Sequence, residues 1–80
     1  MNRLSREVNP MPDFVRDALE AEKLMQAYNE RPPYQRNDYL GWIAKGKRQA
    51  TQEKRLRQML DELQQGGIYM KMDHPASRRS

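Results

Sequence analysis

Eighty residues are enough for one domain, and a chain this short buries only about 60% of the surface that its unfolded form exposes. Apolar residues make up 36% of the chain and charged residues 32%, a lean composition that still falls short of a disordered chain. The absence of cysteine excludes disulfides and thiolate metal sites, whereas the net charge of +4 permits anionic partners without requiring them.

The N-terminal residues carry no recognisable targeting signal. Residues 1–7 have some positive charge but no apolar run behind them, and no stretch of the chain reaches the length of a transmembrane helix. We therefore expect a cytoplasmic protein that does not insert into a membrane. Residues 1–11 lack a periodic apolar pattern and contain Pro10, which predicts a flexible N-terminal arm.

The first helix is predicted to begin at Pro12-Asp13. Proline suits the first helical turn, and the helix dipole favours aspartate there. Apolar residues then recur at spacings of three and four as far as Tyr28, which is the period of an amphipathic helix. Leu24 lies off this stripe and indicates a break near Ala21, so one helix and two short helices both remain open. The core residues predicted for this region are Phe14, Ala18, Leu19, Met25 and Tyr28.

A second helical region follows Pro32-Pro33. The residue before a proline is disfavoured in helical geometry, so these prolines end the first region and can open a helix predicted over residues 33–47. Gly41 and Gly46 lie within this helix or at its end, at a cost of about 1 kcal/mol each relative to alanine. The core residues predicted for this helix are Tyr39, Leu40, Trp42 and Ile43.

The last helix is predicted to have Thr51 as its N-cap and to end at Gly66-Gly67, where glycine tolerates the left-handed conformation. Its predicted core residues are Leu56, Met59, Leu60 and Leu63. The sequence thus predicts an all-α bundle of three or four short helices over residues 12–67. A mostly disordered tail at 68–80 follows, although its Ile-Tyr-Met part can pack back on the core.

A longer pattern begins at Tyr39. It comprises Tyr39, Trp42-Ile43, Gly46-Lys47, Thr51, Arg55-Leu56, Leu63 and Gly66. In order and spacing it resembles the bacteriocin-protection, YdeI or OmpD-associated family of small bacterial helical domains, over roughly residues 12–67. The resemblance implies a helical fold and a link to envelope stress, antimicrobial peptides or a porin, and it implies no catalytic mechanism.

The chain departs from the family pattern at three positions. Gly46 stands where the pattern has alanine, which predicts a looser helix end. Gln52 stands where the pattern prefers arginine, so one cationic group is missing. Tyr34 stands where a small residue is common. A function that needs a complete arginine cluster is therefore in question.

Residues that carry catalytic chemistry are sparse. The single histidine, His74, lies in the polar tail, and the chain has neither a glycine-rich phosphate loop nor paired metal-ligand spacing. Asp13, Asp17 and Glu20 share a helix face that is typical of a solvated surface. We therefore expect no enzyme activity, no catalytic residues, no cofactor and no metal.

Basic residues surround the predicted turn between the last two helices. The predicted interaction surface comprises Tyr34, Lys45, Lys47, Arg48, Lys54 and Arg55. One interpretation is an anion site for nucleic acid or for an acidic protein or lipid surface. The other is structural, with Lys47 and Arg55 capping the third helix or pairing with acidic residues. Tyr34 lies off the main stripe beside the prolines and is the aromatic residue expected to be exposed.

These observations favour a non-enzymatic interaction module, monomeric or weakly dimeric, that binds a protein partner through its aromatic and basic surface. The alternative is a weak nucleic-acid-binding protein that uses the basic cluster at residues 45–57. The two hypotheses differ in salt dependence, because binding to phosphates weakens steeply with added salt and a hydrophobic contact does not.

Overall fold

The computed structural model describes residues 9–70 and 72–73. Four helices in this part of the chain are followed by a two-stranded antiparallel hairpin. The elements are α1 (Asp13–Ala21), α2 (Met25–Asn29), α3 (Pro33–Ala44), α4 (Gln49–Gln65), β1 (Ile68–Tyr69) and β2 (Met72–Asp73). The prediction of a small all-α bundle is confirmed, and the short hairpin is added to it. No helix among the described residues is both long and apolar enough to cross a membrane.

The break near Ala21 separates two helices, which answers the question that the sequence left open. Lys23 adopts a left-handed backbone with φ of 60°, and the Leu24 amide donates to the Leu19 carbonyl over 2.8 Å. This turn changes the direction of the chain, and Leu24 is therefore buried in the core. Leu24 lay off the α1 stripe because it belongs to a segment with a different direction.

The turn between α3 and α4 comes earlier than predicted. α3 ends at Ala44, and the extended backbone of Arg48 immediately precedes α4, so Thr51 lies inside α4 and the N-cap prediction was wrong. Gly46 is buried in this turn, where a Cβ atom would lie 3.1 Å from side-chain carbons of both Thr51 and Gln52. Glycine here permits a close approach of the turn to α4.

The hydrophobic core lies between the helices and the hairpin. Of the predicted core residues, Leu19, Tyr28, Tyr39, Leu40, Ile43, Met59, Leu60 and Leu63 are buried, and Ala18, Met25, Trp42 and Leu56 pack against them partly buried. Phe14 was predicted wrongly, since it is 40% exposed. The next residue, Val15, is fully buried together with Leu19. Successive residues on a helix are about 100° apart, so Phe14 falls on the neighbouring face.

Both chain ends are more structured near the bundle than the sequence suggested. Gly66 and Gly67 end α4 with φ of 72° and 73°, as predicted, and β1 then brings Tyr69 into the core. At the other end, Asn9 donates its backbone N–H to Asn37 Oδ1 over 2.7 Å, so residues 9–11 are not a free arm. The remaining parts of the predicted arm and tail, residues 1–8, 71 and 74–80 with His74, lie outside the described residues.

Candidate functional site

A buried carboxylate joins the hairpin to the helices. Glu62 on α4 is only 4% exposed and accepts hydrogen bonds from the Tyr39 hydroxyl, from Gln58 Nε2 at 3.0 Å and from the Met70 amide at 2.8 Å. Burial, followed by the hydrogen bond to Glu62, raises the pKa of Tyr39 well above its usual value. The contacts fix Met70, and with it the turn of the hairpin, against α3 and α4.

A buried arginine completes this polar layer. Arg31 donates through Nη1 to Gln35 Oε1 at 3.2 Å and through Nη2 to the Glu62 carbonyl at 3.0 Å. A buried guanidinium is tolerated only when acceptors replace its lost hydration. The sequence analysis did not anticipate this layer, because Arg31, Gln35 and Glu62 are residue types that usually lie on surfaces.

An aromatic row leads from this layer to the surface. The Tyr69 ring contacts the Tyr39 ring edge-on at 5.3 Å and the Tyr34 ring at 6.1 Å, and its hydroxyl donates to Asp38 Oδ2 at 2.8 Å. Tyr34 ends the row and is 39% exposed, which confirms the expectation that it would be the exposed tyrosine. Its ring is thus held at the surface by a buried neighbour.

Arg55 has a structural role, which is the second of the two interpretations offered by the sequence. Its Nη1 donates to the Trp42 carbonyl in the last turn of α3 over 2.6 Å, and its guanidinium carbon lies 5.3 Å from the Trp42 ring centroid. The arginine therefore caps α3 and stacks on the tryptophan. These contacts engage Arg55 within the fold and fix the orientation of Trp42.

An open groove runs along the outer side of α3, and we call it the Trp42 groove. It encloses about 690 Å³ and is lined by Asn9, Asn37, Asp38, Gly41, Trp42, Lys45, Tyr69 and Met70. Its wall at Asn9 is held by hydrogen bonds from Asn9 Nδ2 to the Asn37 backbone and side-chain oxygens at 3.2 and 3.3 Å. Aromatic rings and methionine form the apolar part of the groove, and polar groups surround it.

Four other predicted surface cations lie in or near the turn, and we call Lys45, Lys47, Arg48 and Lys54 the basic turn, although Lys54 lies in the second turn of α4. All four side chains are exposed, and none makes a hydrogen bond or ion pair to a described residue. Arg57 differs, because it binds Glu22 through two bonds of 2.7 and 2.9 Å and Asp61 at 3.2 Å. The hydrogen bonds from Arg57 to Glu22 lower the pKa of the Glu22 carboxyl group.

A smaller groove of about 410 Å³ adjoins the basic turn at Lys47 and is lined by Phe14, Lys47, Gln49, Gln52 and Glu53. The side chain of Gln52 bonds the Gly46 carbonyl at 2.9 Å. Two departures from the family pattern, Gly46 and Gln52, are therefore in direct contact with each other.

The structure brings together only part of the predicted surface. Lys45 lines the Trp42 groove, Tyr34 lies next to its Tyr69 wall, and Lys47 faces the second groove. The sequence pattern did not predict the groove walls formed by Asn9, Asn37 and Tyr69. The positions of Tyr34, Asp38 and Trp42 at intervals of four on α3 were the available signal that these three residues share one face.

The acidic face of α1 agrees with a solvated surface. Arg16 bonds both Asp13 and Asp17 at 3.2 Å, and these contacts raise the arginine's pKa. Within residues 9–70 and 72–73, no three histidine or acidic side chains come close enough together to hold a metal ion.

The fold and its groove define a small helical domain with an aromatic recess on its third helix and a cationic turn beside it. The family model described as Bacteriocin-protection, YdeI or OmpD-Associated matches residues 10–66, and the chain belongs to this family. The search of curated proteins gives no significant match, and the search of solved structures gives none either.

Proposed function

We propose that this domain is a non-enzymatic interaction module that binds a protein partner through the Trp42 groove. The observation that carries the proposal is the groove itself, which is open and presents Trp42, Tyr69 and Met70 between polar walls. Aromatic residues and methionine are enriched at the centres of protein interfaces, where a polar rim surrounds them. The Arg55 contacts hold Trp42 in place, so that little ordering is required on binding.

The burial of the strongest acid–base pair supports a non-enzymatic role. Tyr39 and Glu62 are buried and hydrogen-bonded to each other, and the Glu62 oxygens, although Glu62 borders an open groove of about 540 Å³, are engaged by three donors. A catalytic acid or base must lie within hydrogen-bond reach of a substrate. The two residues therefore serve the fold in this proposal.

Nucleic-acid binding is the second candidate function, and the four exposed cations of the basic turn favour it. One contact weighs against it, because Arg55 is engaged with the Trp42 carbonyl and ring. The family description connects its members with bacteriocin protection or with OmpD, and we propose a cytoplasmic role of that kind for this chain.

Capture of the partner tests the proposal with two matched variants. Tyr34 and Phe14 are both exposed aromatic residues, at 39% and 40%, and only Tyr34 adjoins the Trp42 groove through Tyr69. We expect Tyr34→Ala to reduce by about tenfold the amount of a protein retained from a bacterial extract, because an interface aromatic contributes about 1–2 kcal/mol or more. Phe14→Ala should leave retention unchanged. Equal retention by all three forms would contradict binding at the groove.

A further inference from the structure

Positive charge accumulates at one end of the molecule, where Glu53 is the acidic residue beside Lys47. Two cations elsewhere on the surface are paired, since Arg16 binds Asp13 and Arg57 binds Glu22. The four side chains of the basic turn have no such partner among the described residues. An anionic group bound at the turn would therefore gain favourable interactions with cations that no described carboxylate neutralises.

The basic turn is continuous with the Trp42 groove. Lys45 belongs to both, and it lies three residues beyond Trp42, at the C-cap of α3. Asp38 lies at the other end of the groove, seven residues before Lys45 and therefore about 10 Å away along the helix axis. The groove thus has an acidic end, an apolar middle and a cationic end that opens onto further cations.

We propose that the partner contributes an acidic segment with one large apolar side chain. The apolar side chain enters the groove against Trp42 and Met70, and the carboxylates that follow it bind Lys45 and the rest of the basic turn. The charge complementarity and the apolar middle both point to this occupant. The inference rests on the proposed function and specifies the chemistry of the partner at the same site. A nucleic acid offers phosphates but no flexible apolar side chain for the groove.

The experiment uses the fluorescence of Trp42, which is the single tryptophan of the chain and lies in the groove. The probe is a synthetic peptide of about twelve residues with one leucine followed by four aspartates or glutamates. Its matched control replaces each acid with the corresponding amide, and a short DNA duplex forms the third arm. We expect the acidic peptide to change Trp42 emission saturably and to bind about tenfold more tightly than the amide peptide.

Two charge reversals locate the contact. Lys45→Glu and Lys23→Glu change the net charge equally, but Lys23 is exposed in the α1–α2 turn and outside the groove. We expect Lys45→Glu to weaken the acidic peptide by about tenfold and Lys23→Glu by less than about twofold. Equal weakening by both variants would mean that only net charge matters, which would overturn the proposal.

The remaining outcomes separate this inference from the proposed function. If the amide peptide binds as tightly as the acidic one, or if neither changes the emission, then the acidic-segment proposal is wrong. A protein captured through the groove would still support the interaction module. If the DNA duplex binds more tightly than the acidic peptide, with affinity that falls steeply with salt, the nucleic-acid candidate replaces both.

Discussion

Single residues decide which parts of the surface are available for binding. Arg55 and Lys54 are neighbours in the sequence, yet Arg55 caps α3 and stacks on Trp42 while Lys54 is exposed and unpaired among the described residues. The sequence could place both in a basic cluster, but it could not tell them apart, because the difference arises from the packing of α4 against α3. The sequence predicted some of the cations of the site. Which of these cations contact other residues, and which remain free among the described residues, could be seen only in the folded structure.

The two cations should therefore differ in their effect on stability. We expect Arg55→Ala to lower the free energy of unfolding by about 1–3 kcal/mol, because it removes a charge-assisted hydrogen bond and a ring contact. Lys54→Ala should change it by less than about 0.5 kcal/mol. Urea unfolding followed by circular dichroism measures both values. Equal small losses would show that Arg55 is not structural.

The Tyr39 hydroxyl gives stability a pH dependence. Its pKa is raised in the folded state from an ordinary value of 10, so the unfolded chain loses this proton first as the pH rises. The contribution is fully present below that unfolded value, and stability falls as the pH rises from there towards the folded pKa. We expect the urea midpoint to drop as the pH rises above about 9, and to drop less in Tyr39→Phe. Burial also raises the pKa of Tyr28, so Tyr28→Phe provides a comparison. An equal drop in the wild type and in Tyr39→Phe would exclude Tyr39 as a source.

At the scale of the elements, the spacing of the apolar residues and the positions of proline and glycine predicted most of the helices. Pro12 and Pro33 marked the N-termini of α1 and α3 correctly, and the paired glycines at residues 66–67 marked the C-terminus of α4. The hairpin was missed because each strand has two residues, too few for an alternating pattern to show. Its position depends instead on Tyr69 and on the bond from the Met70 amide to Glu62, which are contacts between distant parts of the chain.

The close packing of Asn9 against α3 explains why residue 41 is a glycine. A Cβ atom at this position would lie 2.8 Å from Asn9 Nδ2, so alanine displaces the side chain that forms one wall of the Trp42 groove. We expect Gly41→Ala to give little stabilisation in the wild-type background, because the clash offsets the better helix propensity. In an Asn9→Ala background the same change should stabilise by up to about 1 kcal/mol. Urea unfolding of the four proteins measures this coupling, and identical effects in both backgrounds would contradict the close contact.

At the scale of the whole molecule, four helices and a hairpin enclose one core while α3 keeps its outer side open. The buried layer around Glu62 and Arg31 holds the hairpin on the helices, and the hairpin in turn supplies Tyr69 and Met70 to the groove. The family pattern spans the helices and ends at residue 66, before the hairpin. The residues that the family pattern covers therefore include Trp42 and Lys45 but not Tyr69 and Met70, which form the opposite wall of the groove.

The most direct test of groove binding is site-specific photo-cross-linking in living bacteria. A photoreactive residue replaces Lys45 in the groove or, as a control, Gln64, which is exposed on α4 and does not line the groove. We predict a discrete cross-linked protein from position 45, absent from position 64 and reduced when Tyr34→Ala is also present. Cross-links of equal intensity from both positions, or none from position 45 in a folded protein, would contradict it.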